Sequence, residues 1–167
     1  MDITTLRTTI WQQFGAAIDM LDNAIVACPE EVWNGRTQRP ETEVWYLVFH
    51  TLFWLDLYLS DSVAGFAPPA PFTSDELDPA GLLPERVYTK DELLAYLEHG
   101  RKKCRATIEA LTDEKALERF RIGSMDLSIT ELHLYNMRHV QHAAAQLNLI
   151  LRQTIDGAPR WVKRADL

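Results

Sequence analysis

Apolar residues recur three and four apart from Ile3 to about Ala27, at Leu6, Ile10, Phe14, Ala17, Ile18, Leu21 and Ile25. That is the period of a helix with one buried face. The stretch CPEEVWNGRTQRPE breaks the period with two prolines and a glycine and reads as a loop, in which Val32 and Trp33 tuck against the core. Thr42 is placed to cap a second helix running through EVWYLVFHTLFWLDLYLS to about Ser62. This helix is apolar nearly all round, the mark of the most buried element. Residues 63–88 hold most of the prolines and no sustained period, so they predict a long crossover with one turn of helix at most. Thr89 with Glu92 reads as a capping box opening a third helix to about Leu111. A short helix at 113–119 and the irregular stretch RFRIGSMDL follow. Ser128 with Glu131 is a second capping box, opening a last long helix from Ile129 to about Gln153. In the tail, TIDGAPRWVKRADL, Trp161 is placed to pack back on the bundle.

Four long helices near 3–27, 43–62, 90–111 and 129–153, with almost no strand signal, predict an all-α fold. Antiparallel packing about one apolar axis is the simplest way to bury their faces. The long crossover argues against a plain up-down-up-down bundle. At 167 residues the chain fits a single domain, 1–167, with a real core. A net charge of −7 argues against a general phosphate-binding surface, so no nucleic-acid partner is expected. The local run RKKCR at 101–105 would spread around a helix as a solvated face. Cys28 and Cys104 lack the spacing of a zinc knuckle or redox pair, and neither has an identifiable base beside it. No secretory signal is evident, which predicts a reduced, cytoplasmic setting. The most apolar window, 44–59, contains His50 and Asp56 and is short for a membrane span, so no membrane partner is expected.

The run NMRHVQHAAAQLNLILRQ, residues 136–153, places His139, His142 and Gln146 in an otherwise apolar helix. His139 and His142 share a face, with Gln146 a turn further on. His50 lies midway along the apolar second helix. A buried imidazole without partners costs roughly 1–3 kcal/mol. A divalent metal removes much of that cost, and imidazole suits Zn²⁺, Ni²⁺ and Fe²⁺. Hydrogen-bonded core or cleft histidines are the alternative reading of the same spacing. His99, taken as the end of a charged helix, and His133, near the start of the last one, read as unrelated to this group.

The His of VFHTLFWLDLYL, followed about ninety residues later by RHVQHAAAQLNLILRQ, resembles the DinB/YfiT-like family of four-helix bundles. The resemblance covers nearly the whole chain and implies an up-up-down-down bundle. It also implies a divalent metal held by three side chains; on imidazole chemistry zinc or nickel is expected there, with iron as a further candidate. His50 matches the second-helix ligand, and His139 matches the first of a pair four residues apart on the last helix. The second of that pair falls at Ala143, which cannot coordinate. His142 is the candidate substitute, giving His50, His139 and His142 as the metal set. Moving from position 143 to 142 turns a side chain roughly 100° about the helix axis.

The family includes metal-dependent enzymes acting with low-molecular-weight thiols, which implies a transferase or hydrolase with a small-molecule substrate, a thiol among the candidates. Tyr46 and Tyr135, each one turn before a site histidine, are candidate phenolic donors or packing residues; Asp56 and Asp61 read as capping or solvated residues at the far end of the second helix. A non-catalytic bundle that keeps its cleft for ligand binding or dimerisation is the other class of reading. Trp11, Phe14, Leu132, Leu134, Leu147, Leu149, Ile150 and Leu151 exceed one buried stripe, and predict a homodimer.

Overall fold

The computed structural model describes residues 2–60 and 62–167; the expectation for Asp61 lies outside them. Among these, the long helices are α1 (Ile3–Ala27), α3 (Val44–Tyr58), α4 (Lys90–Glu109) and α6 (Ile129–Ile155). Short helices α2 (Glu30–Trp33) and α5 (Asp113–Leu117) fill two of the connections. Both capping boxes are present: Thr89 and Glu92 bond reciprocally at the start of α4, and Ser128 and Glu131 do so at α6. Each satisfies backbone donors that a helix start leaves bare.

Packing sets the arrangement. α1 lies along α6 and α4, and α3 lies along the same two helices, so α1 and α3 face each other across the core. Phe14, Ile18, Leu21, Val48, Phe49, Leu52, Val140 and Leu147 are all fully buried there or nearly so. Trp33 is buried and donates to the Tyr88 carbonyl, while Val32 packs against the core's edge, as the loop pattern predicted.

Several expectations are corrected. Thr42 does not cap α3; it ends a single 3-10 turn, Pro40–Thr42, and Glu43 stands at the cap position. Glu43 is buried instead, accepting from the Thr37 amide and the Trp45 indole. α3 also ends at Tyr58, four residues short of Ser62. RFRIGSMDL is not irregular. It forms an antiparallel hairpin of β1 (Arg119–Ile122) and β2 (Met125–Ser128), turned at Gly123 with φ +55°. Two four-residue strands around one glycine are too short for period to reveal them.

RKKCR is a solvated face only in part: Lys102 and Arg105 are exposed, as expected, while Arg101 and Lys103 turn inward. Arg101 pairs with Asp19, and Lys103 reaches the buried Asp56 carboxylate at 2.5 Å. Asp56 is 1% exposed and also accepts from the Tyr96 hydroxyl, so it is an interior hub and not a capping residue. His99 lies in mid-helix with its Nε2 3.5 Å from the same carboxylate.

The tail does pack on the bundle, though not through Trp161, which is 67% exposed. Ala165 is buried and donates its amide to the Gln12 carbonyl, and the Trp11 indole donates to the Asp166 carbonyl. A Cβ added at Gly15 would lie 2.6 Å from the Ala165 Cβ, so the glycine is the notch into which the tail fits. Gly15→Val is therefore expected to lift the tail off α1 at a cost of about 1–3 kcal/mol. Faster proteolytic clipping between Gly157 and Leu167 is the measurement; an unchanged rate would mean that the notch carries nothing.

Trp11, Phe14, Leu132, Leu147 and Leu151 are buried within the chain, and Ile150 is partly buried. Of the apolar surplus, Leu134 and Leu149 are exposed, and any pairing through this set would rest on them. No helix among the described residues is long and apolar enough to cross a membrane.

Candidate functional site

The second-helix histidine is held by a residue that the sequence did not single out. Tyr46, His50 and Trp54 are four apart on α3 and form one stripe. The crossover brings Glu76, in a single 3-10 turn at Asp75–Leu77, over that stripe. The Tyr46 hydroxyl donates to Glu76 Oε1 at 2.7 Å, and the Trp54 indole donates to Oε2 at 2.9 Å. His50 Nδ1 lies 2.7 Å from the same Oε2. The Glu76 side chain is only 6% exposed, whereas His50 is 40% exposed.

Burial pushes the Glu76 carboxyl up, but the hydrogen bonds from His50, Tyr46 and Trp54, with the charge interaction of His50, outweigh it. Its pKa falls below the ordinary carboxylate value, so Glu76 is ionised at neutral pH. Tyr46 is pushed well above the usual phenol range by burial and then by the Glu76 bond, and stays a donor. A carboxylate at Nδ1 selects the His50 tautomer with the proton on that nitrogen, leaving a lone pair on Nε2.

His139 faces this pair from α6. The His50 and His139 rings stand 5.4 Å apart between centroids, nearly perpendicular at 85°. Burial, then the neighbouring His50 and His142 rings, push the His139 pKa down to about 4, against a smaller upward pull from Glu76. His139 is thus neutral at pH 7. Its Nδ1 is buried without a hydrogen-bond partner. Such an orphan in a native fold points to a strained, functional or ligand-seeking group.

The remaining candidates fall elsewhere. Ala143 is 2% exposed on the buried face of α6, below His139, whereas His142 and Gln146 are exposed. The helical turn between adjacent residues separates positions 142 and 143 in the way the sequence geometry anticipated. The Tyr135 ring packs edge-on against Tyr58 at 5.5 Å. His133 is buried and bonded through Nδ1 to the Ile129 carbonyl, away from the pair. Among the described residues, no group of three His, Cys, Asp or Glu side chains is arranged to hold a metal ion. Tested against a resident divalent ion, the donor set is therefore a pair. His50, oriented by Glu76, and His139, neutral and with an unpartnered nitrogen, both suit it; the third protein donor is missing.

What sequence reasoning missed is Glu76. The available signal was the i, i+4, i+8 stripe of Tyr46, His50 and Trp54, three polar handles on one helical face that require an acceptor. Which acid supplies it was hidden among Asp75, Glu76 and Asp78 in a stretch without period.

The family model described as the DinB superfamily matches residues 13–147. No curated protein and no solved structure matches the chain.

Proposed function

The chain belongs to the DinB superfamily, and we propose that it is a divalent-metal-dependent transferase or hydrolase acting on a small substrate, a thiol among the candidates. The observation that supports this reading is the apposition of His50 and His139 with Glu76 fixing the His50 tautomer. A carboxylate behind a ligating imidazole is the common outer support of such sites. Zinc or nickel fits two imidazoles, and iron is also suited. A bound ion would supply a Lewis acid for a coordinated thiol or water. This chain's residues would hold and orient: His50 and His139 as donors, Glu76 and Tyr46 as the frame, and His142 as the candidate third donor after a side-chain turn. The up-up-down-down course of the family fold belongs to the same proposal, since the 63–88 crossover is long enough to span the bundle between α3 and α4.

A specific observation favours a second reading. Ala143 is buried where the resembled motif carries its third ligand, so the cleft can have kept its imidazoles for ligand binding after losing the metal. Metal analysis of protein purified without an affinity tag separates the two. About one ion per chain supports the enzyme reading, and none supports the other. On the first reading, added zinc or nickel raises the melting temperature by mass action, the effect weakens as the pH falls toward about 4, where His139 takes up a proton in the fold, and His50→Ala or His139→Ala abolishes it. His142→Ala tests the substitute ligand. Ala143→His is expected to raise zinc or nickel affinity at least about tenfold, ~1.4 kcal/mol. If neither the native chain nor Ala143→His takes up metal, the metal reading is wrong.

A further inference from the structure

We propose that a cavity on the outer side of α6 receives the substrate and that it takes a small carboxylate with an apolar body. Calling this occupant the substrate rests on the function proposed above; its binding does not depend on metal. The cavity is about 620 Å³ and lies between α1, α6 and the tail. That is within the range of small-molecule sites. His139 lines it, so the ring that faces His50 also borders this space.

The lining is acid-free. Gln13, Arg138, Gln141, His142, Tyr135 and Trp161 all carry hydrogen-bond donors, and no Asp or Glu contributes. This is unusual ground for a chain with 24 acidic and 17 basic residues. The arginines of α4 and of the hairpin are paired with carboxylates: Arg101 with Asp19, Arg105 with Glu109, Arg119 and Arg121 with Asp126. Arg138 has no hydrogen-bond or ion-pair partner among the described residues. A guanidinium left open beside neutral donors is the group that recognises a carboxylate through two parallel bonds.

The apolar half is also built. Trp161 is 67% exposed, and the chain just beyond it is anchored on α1: the Gln13 amide donates to the Lys163 carbonyl at 3.4 Å, and Ala165 closes onto Gly15. An exposed indole in a donor-rich cavity offers a flat apolar wall, and Met137 and Ala145 add apolar lining. A carboxylate on Arg138 would place the body of the molecule against Trp161 and near His139.

The test uses benzoate and benzamide, which share a ring and differ in charge, on tag-free protein kept in chelator. Binding is read by calorimetry and by tryptophan fluorescence at millimolar ligand. Benzoate is expected to bind at least about tenfold more tightly than benzamide, with the preference shrinking as salt is raised. Arg138→Gln should erase the preference, Arg138→Lys should keep part of it, and Trp161→Ala should weaken both ligands. Equal binding of the two probes, no binding of either, or a preference that survives Arg138→Gln overturns the proposal. Metal uptake is measured separately without probe. Benzoate binding without metal uptake sinks the metal reading alone, and metal uptake without benzoate preference sinks this one alone.

Discussion

Glu76→Ala is expected to destabilise the chain by about 3 kcal/mol and to loosen the candidate site at the same time. The substitution removes one buried carboxylate that serves three donors: the Tyr46 hydroxyl, His50 Nδ1 and the Trp54 indole. Hydrogen bonds to an ionised group are worth roughly 1.5–3 kcal/mol each when taken singly. Their sum is not reached here, because His50 is 40% exposed and water can replace its bond. The loss is still large, since Glu76 also ties the crossover to α3. Glu76→Gln, which keeps the shape and one acceptor oxygen, should cost about half as much. Urea denaturation with an unchanged slope is the check. If Glu76→Ala shifts stability by less than about 0.5 kcal/mol, the three bonds carry no net weight. If the site binds metal, the same substitution should weaken that binding about tenfold or more, because His50 loses its fixed tautomer and ring angle.

The long helices were legible because each has a strong local signature. α1 and α6 show an apolar period over several turns, and α4 and α6 open on complete capping boxes. Less was legible where structure depends on distant partners. The end of α3 was overestimated because Leu57 and Leu59 continue an apolar run whose burial is set by tertiary packing. The hairpin escaped because four-residue strands leave no period to read. The pairing of Lys103 with Asp56 joins residues 47 apart and was invisible for the same reason. Reading Trp11, Phe14 and Leu132 as surplus surface overlooked the tail and neighbouring helices, which cover them.

At the site, the helical positions of His50 and His139 were readable and the chain brings them together. The consequence of Ala143 was readable as well, because one residue along a helix is a fixed rotation. The frame around His50 was not. It is made by a crossover residue with no local pattern, 26 positions from the histidine it bonds. Nor was the acid-free cavity, since its walls come from α1, α6 and the tail, and only folding shows that no carboxylate turns toward Arg138.

Acidification from pH 7 to 4 is expected to remove about 3 kcal/mol from the stability of the metal-free protein, most of it through His139. In the fold, burial and the flanking His50 and His142 rings push this group from 6.5 down to about 4. The unfolded chain therefore binds a proton as the pH falls through ~6.5, whereas the folded chain resists until about pH 4. Over that window the unfolded state carries more protons, so stability falls with pH; it is fully present above ~6.5. His133 acts in the same direction, because burial lowers it against a smaller upward pull from the Ile129 carbonyl. Glu76, whose pKa is depressed by its donors, adds its loss only at the acid end of the range. Urea midpoints measured every half unit in chelator give the curve. His139→Gln, which cannot titrate, should flatten most of the fall between pH 6.5 and 5, with His133→Gln removing a further part. A curve of unchanged steepness in His139→Gln would show that the ring is solvated in the fold and titrates as it does in the unfolded chain. Metal must be absent for this measurement, since an ion on either imidazole would compete with the same proton and move the fall to lower pH.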